Sequence, residues 1–439
     1  MADARFQPLP GFRDFAPQEC ALRNYLFNTW RNVAHRYGFV EWEGPTIEPT
    51  ELYLKKSGGE LPTQLFRFND QGGRDITVRP ELTASLGRIA AAVQREHSKP
   101  LKWVEIGSCF RHEQPHKRRL REFVQVNADI LGEDGAGADA ELIALAIDCM
   151  REFGLGADDF VVRVSDREVW LRYAAEHGIP EEKTGDFLAI VDKFERDRPE
   201  VCQEKLDAFG MQRDELVAFI ANPPAGCSPR YDAALAELRA RGLDAYVQLD
   251  LSVVRGLAYY TGLVFEIFDK GHSLRAVAGG GRYNGLVSTL SNGAVSLPAT
   301  GFAMGDAVIA HLIEACPAAR ALRDAALKPQ TCDLYCVLAD PSKRPELLNV
   351  VSTLRDAGVR VDLPLSPSKM SAQLKHADKI GATYAAIIGS EFPDIQLKVL
   401  ATRESYNTNL ESLLEMFLPE APDDDEAEAV DGAAEQPAE

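Results

Sequence analysis

At 439 residues the chain is long enough for two or three domains with real cores, and its 45% hydrophobic and 26% charged content is that of a soluble globular protein. A net charge of −19 speaks against nucleic acid as a partner until its distribution is read: the last 21 residues hold nine acids and no Lys or Arg, and basic patches lie elsewhere. The start lacks a basic-then-apolar leader, no uncharged apolar run of about 18 residues appears, and the eight scattered cysteines form no zinc pattern, so no signal peptide, membrane span or metal site is expected and a reducing cytoplasm fits best.

Residues 16–37 predict an amphipathic helix, with Leu22, Tyr25, Leu26 and Trp30 near helical spacing. In "GFVEWEGPTIEPTELY", Val40 and Trp42 alternate with Glu41 and Glu43 before prolines stop the run, as at a strand end. "QLFRFNDQGGRDITVRPE" predicts a hairpin around Gly-Gly, and "TASLGRIAAAVQRE" a helix. "LKWVEIGSCFRHE" and "REFVQVNADILGE" predict two strands bracketing a basic loop, and "GADAELIALAIDCMREFG" a helix stopped at Gly154. Residues from about 170 to 245 turn rich in Glu, Asp, Lys and Ala and predict a helical insertion; strand character returns in "AYVQLDLSVV" and in "RGLAYYTGLVFEIF", 255–268. A linker is expected near 316–330. From 331 the pattern alternates strand, helix, strand, helix, strand, which predicts a small α/β domain. No Walker A or GxGxxG motif is found.

Three stretches can carry chemistry. In the first, residues 111–121 hold five Lys or Arg against one acid, and local patches can engage phosphates within a Debye length whatever the rest of the surface does. Arg111 and Glu113 sit at the end of one strand; Arg119, Arg121 and Phe123 open the next, and alternation puts Arg121, Phe123, Gln125 and Asp129 on one side. An arginine there can pair with phosphate in a fork, and a phenylalanine ring can stack on a base; an exposed hairpin with a solvated charge run is the plainer reading. In the second stretch, Arg255 suits a carboxylate or phosphate oxygen. Tyr259 and Tyr260, adjacent on a strand, point to opposite faces, so one can face a ligand while the other packs; two tyrosines filling a core read equally well. The third is "AGGGRYNG", 278–285, where three glycines weaken a strand but admit a close ligand or backbone; taken alone it reads as a turn.

Together these stretches resemble the class II aminoacyl-tRNA synthetases, and among them the histidyl-tRNA synthetase family. "RGLAYYTGLVFE" and "AGGGRYNGL" resemble that family's two histidine-specific signatures. "FRHE" with "RLREF" resembles motif 2, and "GFVEWEGPTIEPTELY" resembles motif 1, which in the family builds a dimer interface around a proline, here Pro45. "TVRPELTAS" resembles the histidine-pocket segment, and 331–418 the anticodon-binding domain. The resemblance covers nearly the whole chain except the tail. It implies an α+β fold: a class II catalytic domain over 1–325 with an antiparallel sheet flanked by helices and the insertion at about 170–245, and an α/β anticodon-binding domain over 326–418. The acidic tail over 419–439, with few large apolar residues, is expected from its composition to be disordered.

The resemblance also implies a histidine–tRNA ligase that makes histidyl-adenylate from histidine and ATP and charges tRNA(His), working as a homodimer. Arg111 would bind the ATP α-phosphate and the amino-acid carboxylate, Glu113 would contact adenine, Phe123 would stack on it, and Arg119 would reach the γ-phosphate. Glu81, Thr83, Gln125, Asp129, Tyr259 and Tyr260 would surround histidine, Tyr283 would close the pocket, and Arg255 would stabilise the adenylation transition state. Mg2+ would accompany ATP. The substrate carboxylate is already ionised near neutrality, so alignment and positive charge, not a base, are what the reaction needs.

Several positions depart from the family pattern. Ala258 and Asn284 stand where aspartate is usual, Asp129 where glutamate is, and Val308 in "GFAMGDAVIA" where motif 3 ends in an arginine, with Asp306 nearby to worsen the field. Either another cation compensates, with Arg88 and Arg282 as candidates, or ATP chemistry is impaired. The missing arginine favours a non-catalytic paralogue that binds histidine or tRNA as a regulator, like the regulatory subunit of ATP phosphoribosyltransferase. Such a subunit typically lacks the anticodon domain and the Arg255 motif, both kept here. Another class II ligase, for proline or threonine, is disfavoured by the tyrosine pair.

Overall fold

The computed structural model describes residues 7–56, 61–113, 120–194, 197–254, 260–271, 276–327 and 332–418. Arg119, Arg255, Ala258, Tyr259 and the acidic tail lie outside the described residues. The chain divides into two units, Met1–Leu327 and Lys328–Glu439.

The first unit is built on an eight-stranded sheet. In chain order its strands are β1 (Val40–Glu41), then β5 (Leu101–Phe110) and β6 (Glu122–Leu131), β7 (Phe160–Asp166), β8 (Val247–Leu249), β9 (Leu263–Asp269), β10 (Ala278–Arg282) and β11 (Ala299–Gly305). The numbers between belong to a small antiparallel sheet of β2 (Ile47–Pro49), β3 (Phe66–Asn69) and β4 (Asp75–Val78), in the order β2-β4-β3. The large sheet runs β1-β5-β6-β11-β10-β9-β7-β8. Its six inner strands are antiparallel, and β1 and β8 pair parallel at the two edges.

Alternation in β6 decides which face does what. Val126, Ala128 and Ile130 enter a core with Leu142, Ile143, Ala146, Ile147 and Met150 of a helix over Ala136–Glu152. A first helix over Pro17–Arg36 adds Leu26, Trp30 and Val33, spaced four and three apart as one buried stripe requires. Phe123, Gln125, Asn127 and Asp129 take the opposite face, which is left open as a cleft. Covering one face with helices and leaving polar side chains on the other is what an antiparallel sheet permits. Two glycines let the inner strands close up under the cleft: a Cβ on Gly280 would lie 2.4 Å from the Gly301 carbonyl oxygen, and one on Gly301 would lie 1.8 Å from the Asp129 carboxylate. The glycine run is thus a sheet strand admitting close backbone and side-chain approach, not a turn.

Two expectations change. Within the described part of "RGLAYYTGLVFEIF", 260–268, the strand begins at Leu263; Tyr260 precedes the ladder, whose register with β7 begins at Leu263 against Asp166. The expected linker near 316–330 contains a helix, Pro317–Ala326, started by a proline at its first position and burying Ala319. Between β7 and β8, four described helices from Arg167 to Ala221 build a separate core around Trp170, Phe187 and Leu206, while a further helix, Pro229–Ala240, buries Tyr231, Ala234 and Leu238 in the core of the large sheet.

The second unit has three parallel strands, Leu334–Leu338 flanked by Val361–Asp362 and Tyr384–Ile388, with helices Arg344–Asp356 and Met370–Lys379 as crossovers. That is the expected α/β alternation. Two further antiparallel strands, Ile395–Val399 and Ser405–Thr408, extend one edge before a last helix, Leu410–Phe417.

Candidate active site

The cleft has a volume of about 420 Å³ and gathers residues from five places in the sequence. Its position is set by the hairpin of β5 and β6 and by a buried ion pair beneath it. Arg79 directs one Nη1 to the Gly44 carbonyl at 2.9 Å and to Glu105 at 2.7 Å, and its Nε to the Ser108 carbonyl at 2.8 Å. Burial pushes the Glu105 carboxyl up, against the pull of Arg79. This anchor places Pro80 and Glu81 at the mouth of the next helix, Thr83–Val93, where the Glu81 carboxylate accepts from the Ala84 N–H at 3.1 Å. An acceptor at a helix start satisfies one of its unpaired donors.

At one end of the cleft, Asp129 is 1% exposed and accepts a short hydrogen bond from the Tyr283 hydroxyl. Thr83 accepts from Asn127 Nδ2 at 3.2 Å, and Gln125 accepts from the Cys109 thiol at 3.7 Å. Burial pushes the Cys109 thiol up to about 12, so it stays protonated and is no nucleophile. Tyr260 also lines this end. At the other end, the Arg111 guanidinium donates from Nε to the Pro80 carbonyl at 3.0 Å and lies 5.2 Å from the Phe123 ring centre. Glu113 lines the same region, and its carbonyl accepts from Arg121 at 3.0 Å. Arg121 therefore braces the hairpin and does not line the cleft, though alternation alone grouped it with Phe123.

Of the site residues expected from sequence, the structure brings Glu81, Thr83, Arg111, Glu113, Phe123, Gln125, Asp129, Tyr260 and Tyr283 into one cavity. Arg119, Arg255 and Tyr259 lie outside the described residues. Asn127 was missed as a site residue, although its parity with Gln125 and Asp129 was the available signal. Its Oδ1 is buried without a hydrogen-bond partner.

The candidates for replacing a cation at Val308 do not reach the cleft. Arg88 pairs with Glu48 at 2.6 Å, and Arg282, 1% exposed, pairs with Asp139 at 2.9 Å on the helical face of the sheet. Alternation explains the latter: Tyr283 faces the cleft, so Arg282 cannot. Asp306 is not the bare negative charge expected, because Arg13 donates to it at 2.6 Å and the Val124 N–H at 3.2 Å. Asn284 donates to Asp134 at 2.9 Å and accepts from the Ala299 N–H at 3.1 Å, away from the cleft lining; an aspartate there would face another carboxylate.

An antiparallel sheet with an arginine-bearing hairpin, acidic and phenolic side chains at one end of a cleft, and a separate α/β unit is the arrangement of a class II aminoacyl-tRNA synthetase. Residues 11–307 match the family described as histidyl-tRNA synthetase, and residues 336–419 match the anticodon binding domain. The histidine–tRNA ligase of Opitutus terrae is 40% identical over 426 residues, covering 91% of this chain and 95% of that protein. The chloroplastic/mitochondrial histidine–tRNA ligase of Arabidopsis thaliana is 35% identical over 427 residues, covering 92% and 85%. The fold is that of the crystal structure of histidyl-tRNA synthetase from Nostoc, with a TM-score of 0.75 at 23% identity over 94% of this chain and 99% of that one. The chain belongs to the histidyl-tRNA synthetase family.

Proposed function

We propose that the chain is a histidine–tRNA ligase: the histidine carboxylate attacks the α-phosphorus of ATP, histidyl-adenylate forms and pyrophosphate leaves, and the histidyl group then passes to tRNA(His). The observation that carries the reading is the pairing of Asp129 and Tyr283 at one end of the cleft with Arg111 over Phe123 at the other. Tyr283 fixes one oxygen of Asp129, leaving the carboxylate oriented toward the cleft as an acceptor for an imidazole N–H. Glu81, Thr83 and Gln125 present acceptors for the α-ammonium, and Tyr260, with Tyr259, walls the ring. Arg111 neutralises the carboxylate and the α-phosphate together, which removes the repulsion between nucleophile and phosphate. Phe123 stacks on adenine and Glu113 accepts from its amino group, while Arg119 and Arg255 add positive charge at the γ-phosphate and at the pentavalent phosphorus. Mg2+ enters with ATP as the counter-ion of its phosphates. An analogue without imidazole N–H groups leaves buried acceptors unpaired, a loss that can reach roughly 10⁴-fold or more.

The unit over 326–418 is assigned to the anticodon, and its basic stretch 342–380, with seven Lys or Arg against four acids, suits a phosphate backbone. Dimerisation through the surface around Pro45 is supported by exposed Val40, Ile47 and Leu54 at 64%, 48% and 41%. The proposed setting is the cytoplasm, where eight unpaired cysteines are stable; no described helix is long and apolar enough to cross a membrane.

Histidine-dependent ATP–pyrophosphate exchange, followed by charging of tRNA(His), tests the proposal. Exchange that requires histidine and saturates with it is the expected result. Folded protein that binds histidine but exchanges nothing would make it a regulator instead.

A further inference from the structure

The described lining of the cleft is poor in positive charge. Glu81, Glu113, Asp129 and Asp306 stand against Arg111. The wall formed by 305–308 carries Asp306 and the apolar Val308, and no described cation of its own. A triphosphate laid along this wall meets a carboxylate, and in a partly buried site such repulsion is weakly screened.

One guanidinium touches that wall from far away in sequence: Arg13 lines a neighbouring cavity rather than the cleft itself, and Asp306 borders both. The carbonyl of Gly11 accepts from the N–H groups of Arg121 and Glu122, at 2.9 and 3.1 Å, so the N-terminal segment is tied to the hairpin that carries Arg111. Two residues on, Arg13 donates from Nη2 to Asp306 Oδ2 at 2.6 Å. The Phe15 ring centre lies 5.0 Å from the Arg13 guanidinium and 4.8 Å from that of Arg23, which fixes the first guanidinium from the side. The Nε of Arg13 is buried without a hydrogen-bond partner. Asp306 cannot follow the arginine elsewhere, because its other oxygen is held by the Val124 N–H. A guanidinium with donor capacity to spare, parked on a carboxylate that lines the cleft, is arranged to exchange that carboxylate for phosphate oxygens.

We propose that Arg13 meets the terminal phosphates of ATP at the wall formed by 305–308, supplying the charge that Val308 does not, and that Asp306 holds it in place until nucleotide arrives. The inference rests on the ligase reading above.

The opposing possibility is a brace: Arg13 does nothing but neutralise Asp306. Exchange kinetics on R13A, R13Q, D306N, R13A/D306N and R13A/V308R separate the two, with melting curves to confirm folding. Removing a charge-assisted contact to phosphate should raise the KM for ATP in R13A and R13Q by roughly 10- to 100-fold, while the histidine KM stays within about twofold. D306N should leave the ATP KM at or below that of the unaltered protein, since it deletes an anion and releases the guanidinium. R13A/V308R should recover most of the loss. The proposal is overturned if R13A leaves the ATP KM unchanged, or if D306N reproduces the loss and R13A/D306N restores it. Absence of exchange by the unaltered protein refutes the ligase reading separately; ATP titration calorimetry on R13A and the unaltered chain then decides the role of Arg13, equal affinities overturning it.

Discussion

Gly301→Ala is the sharpest probe of how the cleft holds its ligand. A Cβ at 301 would stand 1.8 Å from Asp129 Oδ1, 2.7 Å from its Cγ and 2.9 Å from the Tyr283 hydroxyl. To restore even 3.0 Å, the shortest separation real Cβ atoms tolerate, the carboxylate oxygen must retreat by about 1.2 Å. Asp129 is 1% exposed and sits between Trp103 and Gly301 in the ladder, so it has nowhere to go without leaving Tyr283. A hydrogen bond to a charged group is worth about 1.5–3 kcal/mol, and overpacking costs about 1–3 kcal/mol of stability. The first figure converts to roughly 10- to 100-fold in affinity for whatever Asp129 orients. The histidine KM in pyrophosphate exchange should rise by that factor, the ATP KM should hardly move, and the melting temperature should fall modestly. Tyr283→Phe in an otherwise unaltered chain removes the donor without adding a Cβ and should raise the histidine KM by a similar factor. If Gly301→Ala keeps its histidine KM within twofold, Asp129 does not orient the substrate and the placement of the imidazole is wrong.

Arg282→Met should destabilise the first unit by about 3 kcal/mol in denaturant titration, because Asp139 is left buried with only Arg230, at 2.8 Å, to offset it. Arg255→Ala should lower kcat strongly with little change in histidine affinity; loss of histidine binding alone would contradict its assignment to the transition state. In the second unit, Arg360 and its backbone N–H hold the Asp333 carboxyl below the usual value of 3.8. A carboxylate lowered in the folded state stabilises above its ordinary value, and that contribution fades as pH falls through the lowered one. Melting of the full chain should therefore show an acid-side loss in the second unit below about pH 3.8, which Arg360→Ala makes smaller.

What the sequence made legible was local. The β5–β6 hairpin, the first helix and the strand–helix alternation after 331 each announce themselves by period, and the cleft face of β6 follows from parity once Phe123 is placed. What stayed hidden depends on partners far along the chain. The helix at Pro317–Ala326 looked like a linker because its apolar side is mostly alanine, of which only Ala319 is buried. The strands Ile395–Val399 and Ser405–Thr408 pair only with each other and Tyr384–Ile388, and their mixed polar faces resemble loop. Arg13 and Asp306 are 293 residues apart, so nothing in either neighbourhood points to the other.

The departures from the family pattern divide by the face each side chain takes. Within "GGGRYNG", Arg282 turns inward to Asp139 and Asp134, Tyr283 turns to Asp129 across the cleft, and Asn284 ties Asp134 to the Ala299 N–H. Only the tyrosine of the three touches the site, so a motif that reads as a binding signature is mostly the frame that fixes one phenol. Asparagine at 284 costs the chemistry nothing, since it donates where aspartate would repel. Val308 is different in kind: it lines the cleft, no described neighbour on its own helix restores the charge, and the guanidinium bonded to the adjacent Asp306 comes from the N-terminal segment. A substitution in a frame can be absorbed by a change of hydrogen-bond donor beside it. A charge missing from a wall that faces a polyanion has to be brought from another part of the chain, and the Gly11 carbonyl bonds to the β6 start are what bring Arg13 there.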